Sequence, residues 1–260
     1  MSVFLKRFFS AIILFLIFIF TFFAKNNIFF LCLLFMISII ALYELSKLLD
    51  LKKNYLFLFW FLPVIGYFFY ILNYDLTFLS FLTTFLWLTF VPLSLSRGLL
   101  IKNFPKFMYG LFYIFSLFIS SSHLFLTNKY LLLITLLIVW VADISAYIFG
   151  KKFGRKKLAP TISPGKTYEG IFGAFLANFF LIFLLWYFYN QDLKYLLFLI
   201  LVLIPLSVIG DLFESLLKRN VNKKDSGNLI PGHGGVLDRI DGLCASIPFV
   251  ASLSLVENIF

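Results

Sequence analysis

Long apolar runs separated by short polar segments dominate this chain. A helix needs about 20 apolar residues to cross the hydrocarbon core of a bilayer, and nine runs come close to that length. They predict membrane-spanning helices at residues 8–24, 28–46, 55–73, 77–96, 107–126, 130–149, 168–189, 194–213 and 236–257. The first run follows Lys6 and Arg7, but it is too long for a signal peptide, so we interpret it as a retained helix.

The second run ends in an amphipathic stretch that carries Glu44, Ser46 and Lys47. Such a stretch is typical of a helix end that lies along the membrane interface. We therefore interpret Glu44 as an interfacial residue whose carboxylate reaches water or a helix cap.

Lys and Arg are distributed unevenly over the connecting loops. Lys25, Lys129 and Lys194 fall on one side of the predicted membrane, and the other 19 of the 22 basic residues fall on the opposite side or at a helix end there. An error of one span would exchange the sides of all later loops, so this distribution supports the span count. The positive-inside rule then predicts a cytoplasmic N-terminus and an external C-terminus.

Composition agrees with a membrane protein, because 62% of the residues are hydrophobic and only 13% are charged. The net charge of +10 is explained by orientation and by contact with anionic lipid. No soluble part is left to bind nucleic acid. Two cysteines and two histidines exclude a disulfide framework and a His-rich metal site. We expect an all-α, polytopic helical bundle forming a single domain over 1–260, with apolar spans in 1–126 and the chemistry in 127–260.

Ionisable side chains are predicted at the cytoplasmic ends of several spans. Such groups are costly in a membrane and are usually paired or functional. Asp143 is the deepest of them, and Glu169 lies at the start of a later span. Their convergence at one depth is what a single active site requires.

The richest polar segment is residues 210–242, GDLFESLLKRNVNKKDSGNLIPGHGGVLDRIDG. Helical spacing of i, i+3, i+4 and i+7 places one set of its side chains on a single face: Asp211, Glu214, Ser215 and Lys218. Asp238 and Asp241 share a face of the next helix. Carboxylates in this arrangement predict a Mg²⁺ site completed by substrate phosphate. The alternative is a set of inter-helix salt bridges such as Asp238 with Lys218, which is as plausible for any one residue but less so for four carboxylates.

A glycine-rich turn precedes the last predicted span. Gly234 and Gly235 would free backbone N–H groups at a helix start, which is a typical anion site. His233 lies in this turn and could donate a hydrogen bond to phosphate. Lys218 and Arg219, close before the turn, add positive charge suited to phosphate.

A second basic loop, residues 150–170, contains the tripeptide Gly165-Lys166-Thr167. It is not a nucleotide-binding P-loop, because Pro160 stands where the first glycine is required and a strand–loop–helix order is not expected. A local phosphate contact by Lys166 and Thr167 at a helix start stays open.

Together these residues resemble the CDP-diacylglycerol synthase, or phosphatidate cytidylyltransferase, family. The polar positions of the family's signature are filled without a gap by Ser215, Lys218, Arg219, Lys224, Asp225, Gly227, Pro231, Gly232, His233, Gly234, Gly235, Asp238, Arg239 and Asp241. Two further stretches look like the family, one from Trp140 to Gly170 and the other GDLFES from Gly210. The resemblance is close over the C-terminal half only, and Tyr168 stands where Trp is expected.

The resemblance implies an enzyme that joins phosphatidate and CTP into CDP-diacylglycerol and pyrophosphate in phospholipid biosynthesis. It implies Mg²⁺ held by Asp211 and Asp238, with Glu214 and Asp241 as further candidates, and a monovalent cation such as K⁺ nearby. We expect catalytic roles for Asp211, Asp238, Lys218, Arg219, Asp241 and His233. Substrate contacts are expected from Ser215, Lys224, Asp225, Gly234, Gly235, Arg239, Lys166, Thr167 and Asp143. A bacterial cell membrane and a homodimer are expected on the same ground, and the distribution of Lys and Arg predicts that the active site lies at the cytoplasmic face.

Three other functions fit the sequence less well or equally well. A related CTP-dependent enzyme acting on another lipid phosphate or polyprenol would share the chemistry and stays open. A CDP-alcohol phosphotransferase is rejected, because Asp241-Gly242 is not followed by that family's arginine and later aspartates. A transporter is disfavoured, since the charge is confined to one end of the predicted bundle.

Overall fold

Helices account for nearly all of the structure, a computed structural model that describes residues 3–49, 78–97, 110–189, 191–229 and 234–257. The helical elements of the first half are α1 (Val3–Phe23), α2 (Ile28–Leu48), α3 (Phe78–Leu88), α4 (Phe90–Arg97), a π-helical turn (Gly110–Phe115) and α5 (Ser116–Thr127). The second half contains α6 (Lys129–Phe153), β1 (Lys157–Ala159), β2 (Ser163–Thr167), α7 (Tyr168–Tyr189), α8 (Leu193–Asn220) and α9 (Leu237–Glu257).

The apolar helices confirm a polytopic, all-α membrane bundle. Within the described ranges, six helical stretches are long and apolar enough to cross a membrane, and two shorter apolar helices cover Phe8–Phe23 and Phe112–Thr127. The predicted span at 55–73 lies outside the described residues. The span count of nine and the cytoplasmic N-terminus therefore stay predictions, as does the single-domain assignment.

Two caps fix where the long helices of the second half begin. The Asn128 side chain accepts from the Leu131 backbone N–H at 3.0 Å before α6. Asp192 accepts from the Lys194 N–H at 2.9 Å before α8. Both are acceptors that satisfy the free N–H groups of a first turn. From this start α8 continues to Asn220, seven residues beyond the predicted end at 213.

The core is centred on α9. Along its apolar window α9 is 72% buried, whereas α7 is 22% buried. Helix α9 packs against α8, α5, α3 and α6, while α7 packs mainly on α6. Phe172, Phe180 and Tyr187 of α7 are exposed, which is the pattern of a peripheral helix that faces lipid.

A short antiparallel hairpin of β1 and β2 interrupts the helices and was not predicted. Lys157 pairs with Thr167 and Ala159 with Ser163. The hairpin is attached to the start of α7, because the Glu169 carboxylate accepts from the Lys156 N–H at 3.1 Å and Tyr168 N–H donates to the Lys156 carbonyl at 3.1 Å. It is too short and too polar to give the alternation that reveals longer strands.

Candidate active site

The predicted polar face of α8 is present. The helix is continuous from Leu193 to Asn220, so Asp211, Glu214, Ser215 and Lys218 project from neighbouring turns of it. The Ser215 hydroxyl donates to Asp211 Oδ1 at 3.3 Å. Glu214 is fully buried and Lys218 is 8% exposed, so this face points into the bundle.

Two glycines bring α8 and α9 into close contact at this depth. A Cβ on Gly210 would collide with the backbone carbonyl of Asp241, and a Cβ on Gly242 would lie 3.1 Å from the Ser207 side chain. Small residues at a crossing let two membrane helices approach closely. The crossing brings the Asp241 carboxyl group near those of Asp211, Glu214 and Asp143.

Lys218 lies between two carboxylates from different helices. Its Nζ donates to Glu214 Oε2 at 2.9 Å and to Asp238 Oδ1 at 2.8 Å. The salt bridge between Asp238 and Lys218, considered as the alternative to a metal role, is therefore formed. The second oxygen of Glu214 is buried and has no hydrogen-bond partner among the described residues.

Asp238 also holds the chain that leads into α9. Its carboxylate accepts from the Ser226 N–H at 3.0 Å and from the Gly235 N–H at 2.8 Å. Gly234 has a φ of +86°, and a Cβ there would lie 2.8 Å from Asp238 Oδ2. A residue with a side chain would be strained in this conformation, so the glycine lets the turn close on Asp238.

Glu44 of α2 is a site residue that sequence reasoning missed. It is 1% exposed, so its carboxylate does not reach water; of the two expectations, the helix cap is the one that the structure shows, at the start of α9. Its carboxylate accepts from the Val236 N–H at 3.1 Å, the Leu237 N–H at 2.8 Å and the Ser226 hydroxyl at 3.0 Å. An acidic residue in an apolar run was a signal, but nothing in the sequence indicates a partner 192 positions away.

The N–H groups at the start of α9 are consequently already used. Those of Gly235, Val236 and Leu237 donate to Asp238 and Glu44. The turn was predicted to be a phosphate site built from free backbone N–H groups, but two carboxylates of the chain occupy it. The same dipole that attracts phosphate to a helix start attracts carboxylate. His233 lies outside the described residues.

The hairpin contributes Lys166 to the site. Its Nζ lies 2.7 Å from Asp211 Oδ2 and 3.4 Å from the Val208 carbonyl oxygen. Thr167 is buried and accepts from the Gly170 N–H at 3.1 Å, so its hydroxyl caps α7. The tripeptide lies in strand β2, which corrects the expectation of no strand here. It still differs from a P-loop, because no loop separates the strand from the helix.

The remaining predicted residues lie at the edge of the site. Arg219 donates through Nε to the Ile162 carbonyl at 3.2 Å and through Nη1 to the Lys223 carbonyl at 2.9 Å, so it joins α8 to the hairpin turn. Lys224 and Asp225 are solvent-exposed in the loop after α8. Of these three residues, Arg219 is held in place by two hydrogen bonds to backbone carbonyls.

Asp143, Asp211, Glu214, Asp238 and Asp241 together form what we call the carboxylate cluster. A cavity of about 580 Å³ adjoins it. Most of its wall is apolar and comes from α1, α2, α5, α6 and α9, with residues such as Leu14, Phe18, Leu34 and Trp140. One part of the wall is charged, with Asp143, Asp238, Arg239 and Asp241. The structure therefore brings Asp143 of α6 to the same site as the charged start of α9, as the common depth predicted.

The donor set fits a hard divalent cation that is completed by substrate. Within the described residues, no three acidic, cysteine or histidine side chains converge in the geometry of a metal centre. Mg²⁺ needs only one or two carboxylates, however, with phosphate and water as its other ligands. The unpartnered oxygen of Glu214 and the two ammonium groups seated against Asp211 and Asp238 show that this pocket favours positive charge.

Similar proteins point to one family. A phosphatidate cytidylyltransferase of Haemophilus influenzae is 45% identical over 126 residues, which are 46% of this chain and 44% of that protein. One of Pseudomonas aeruginosa is 44% identical over 126 residues, covering 47% and 46%. One of Staphylococcus aureus is 36% identical over 172 residues, covering 63% and 66%. The chain thus spans about half the length of the first two relatives.

The match to the family is longer than the matches to these relatives. The cytidylyltransferase family aligns with residues 5–256, a range that includes α2 with Glu44, the hairpin and both charged helices. This confirms the resemblance that the signature residues indicated. The chain belongs to the cytidylyltransferase family.

Proposed function

We propose that this chain joins phosphatidate and CTP to give CDP-diacylglycerol and pyrophosphate. The observation that carries the proposal is the cavity, which is lined mainly by apolar residues and also by Asp143, Asp238, Arg239 and Asp241. Apolar walls with a few charged groups suit an amphipathic ligand such as a lipid phosphate. The three relatives named above bear the name of this activity.

The reaction needs no protein nucleophile. A phosphate oxygen of phosphatidate attacks the α-phosphorus of CTP, the bond from that phosphorus to the bridging oxygen breaks, and the electron pair leaves with pyrophosphate. The phosphate is ionised at neutral pH, so a general base is not required. The main obstacle is repulsion between two anions, which fixed positive charge and in-line positioning reduce.

The chain supplies that positive charge on three different elements. Lys166 of β2 and Lys218 of α8 are held by carboxylates, which orient their ammonium groups. Arg239 of α9 lines the cavity. An ammonium has three donors, so a lysine that is held by a carboxylate can still contact a phosphate oxygen.

Mg²⁺ is part of the proposal. Asp211 and Asp238 would hold it, with Glu214 and Asp241 as further ligands, and K⁺ would share the site by family resemblance. When bound, the ion screens phosphate charge and stabilises the leaving pyrophosphate. The same cluster would sit at the cytoplasmic face, where CTP is present, in a homodimeric enzyme of the bacterial cell membrane.

One assay tests the proposal directly. The purified full chain in detergent is given labelled CTP, phosphatidate and Mg²⁺, and the lipid fraction is separated by chromatography. We expect a labelled liponucleotide together with released pyrophosphate. Asp211→Asn should lose most turnover, whereas Asp192→Asn should be unaffected, because Asp192 caps the far end of α8.

The acceptor is tested in parallel. Polyprenyl phosphate replaces phosphatidate in an otherwise identical reaction. If label is transferred to polyprenyl phosphate and not to phosphatidate, the chain is the alternative enzyme that acts on polyprenol. If neither lipid is labelled, the proposal of cytidylyl transfer is wrong.

A further inference from the structure

We propose that Glu44 of α2 is a positioning residue that holds the start of α9 and the loop before it in the arrangement the reaction needs. This rests on the proposed function and extends it to a helix in the half of the chain where the signature is not found. Within the described part of the chain, the hydrogen bonds of Glu44 go to Ser226, Val236 and Leu237 and not to the charged side chains of the site. Glu44 acts through the backbone that carries Asp238 and Arg239.

Both carboxylate oxygens of Glu44 accept hydrogen bonds. Oε1 accepts from the Val236 N–H at 3.1 Å, and Oε2 accepts from the Leu237 N–H at 2.8 Å and the Ser226 hydroxyl at 3.0 Å. A carboxylate that is 1% exposed loses most of its hydration. Three hydrogen bonds and the positive end of a helix offset that loss. The buried carboxylate of Glu44 therefore fixes the relative positions of the three groups that donate to it.

The loop and the helix start are shaped around this carboxylate. A Cβ on Gly227 would collide with Glu44 Oε1. A Cβ on Gly235 would collide first with the Ser226 hydroxyl and would lie 2.5 Å from Glu44 Oε2. Both glycines belong to the signature stretch, and their lack of a side chain is explained by the space that Glu44 and its partner Ser226 occupy.

Two carboxylates, those of Glu44 and Asp238, hold the same short segment through hydrogen bonds. Glu44 holds Ser226 through its hydroxyl, while Asp238 holds Ser226 through its backbone N–H at 3.0 Å. Gly235 donates to Asp238, and the next two N–H groups donate to Glu44. Loss of Glu44 would leave the Val236 and Leu237 N–H groups buried without acceptors and would remove the hydrogen bonds to one of the two carboxylates.

Helix α2 also forms part of the cavity wall, through Leu33, Leu34, Ile37 and Ser38. Glu44 therefore lies on a helix that a lipid in the cavity would contact. Its position in the chain, 192 residues before Val236, means that this contact ties the two halves of the protein together at the site.

The test compares Glu44→Gln, Ser226→Ala and the double variant with the wild-type chain. Glutamine keeps the volume but replaces one acceptor oxygen by an NH₂ group that cannot accept from an N–H. We expect Glu44→Gln to lower kcat about tenfold or more with a smaller change in KM, the pattern of a displaced catalytic segment. Ser226→Ala should lower kcat less than Glu44→Gln does. The kcat of the double variant should be no lower than that of Glu44→Gln, since the effects of partners in one hydrogen-bond network are not additive.

A second readout does not depend on activity. Leu237→Cys, which keeps the backbone N–H that donates to Glu44, is introduced in a Cys32→Ser background, and the rate of labelling by a soluble maleimide is measured, since Leu237 and Cys244 are both buried. Adding Glu44→Gln should raise this rate about fivefold or more, because local opening then needs fewer broken contacts. The melting temperature should stay close to that of the parent. Asp192→Asn, another acceptor at a helix start but at the far end of α8, should change neither readout.

The outcomes separate the two proposals. An unchanged labelling rate in Glu44→Gln, or an activity loss no larger than the loss of folded protein, overturns the positioning role. If the wild-type chain forms no liponucleotide, the proposed function fails, and the labelling comparison alone then decides whether Glu44 anchors the loop.

Discussion

At the scale of single residues, the site is built from carboxylates paired with cations that the chain itself provides. Lys218 is the central one, because its Nζ reaches Glu214 at 2.9 Å and Asp238 at 2.8 Å. Glu214 has 0% side-chain exposure and Asp238 has 10%. Buried pairs of this kind contribute little when intact, but removal of one partner leaves a buried charge without compensation.

Lys218→Met is therefore expected to destabilise the protein by about 3–5 kcal/mol, the usual cost of breaking a buried ion pair. Methionine keeps the length of the side chain, so the loss reflects charge and not a cavity. Thermal unfolding in detergent measures it. Adding Glu214→Gln should recover part of the stability, because one of the two stranded carboxylates is then neutral. A double variant less stable than Lys218→Met would contradict the pairing.

At the scale of elements, the crossing of α8 and α9 sets the geometry of the site. Gly210 faces the Asp241 backbone, and Gly242 faces Ser207, so the two charged faces meet where the helices are closest. The hairpin then adds Lys166 from a third direction. None of these elements forms the site alone.

Gly210→Ala should separate the two helices and cost about 1–3 kcal/mol, the usual range for overpacking a close contact. The obstacle is a backbone carbonyl, which cannot rotate away as a flexible side chain can. Gly165→Ala is the matched control, because nothing lies within 4 Å of the Cβ it would add. Equal melting temperatures for the two variants would show that the crossing tolerates a side chain.

Sequence predicted the parts of this arrangement that depend on local spacing. The face of α8 from Asp211 to Lys218 follows from helical geometry, and its burial follows from the apolar residues around it. The contacts of Glu44 with Val236 and of Lys166 with Asp211 could not be predicted, because they join positions 192 and 45 residues apart. The glycine-rich turn suggested free backbone N–H groups, but only the folded chain shows that the carboxylates of Asp238 and Glu44 accept from those of Gly235, Val236 and Leu237.

At the scale of the whole molecule, the orientation in the membrane decides which substrates reach the site. The described end of α8 at Asn220 lies close to the site, and Gln191, before the start of α8, is about 40 Å away along a helix of this length. The charge distribution predicts that the site end faces the cytoplasm.

Cysteine labelling in sealed membrane vesicles tests this orientation. Gln191→Cys and Asn220→Cys are made separately in a Cys32→Ser background, and both positions are exposed. An impermeant maleimide added from the external side should label only Gln191→Cys. Labelling of both from one side would contradict the predicted topology.

The carboxylate cluster described above also has a charge balance. Asp143, Asp211, Glu214, Asp238 and Asp241 interact with Lys166, Lys218 and Arg239. Counted formally, five negative groups against three positive ones leave a charge of −2. With all of these groups ionised, that excess of negative charge is costly in a region of low dielectric constant and favours the uptake of a proton or a cation. A single divalent cation would restore neutrality.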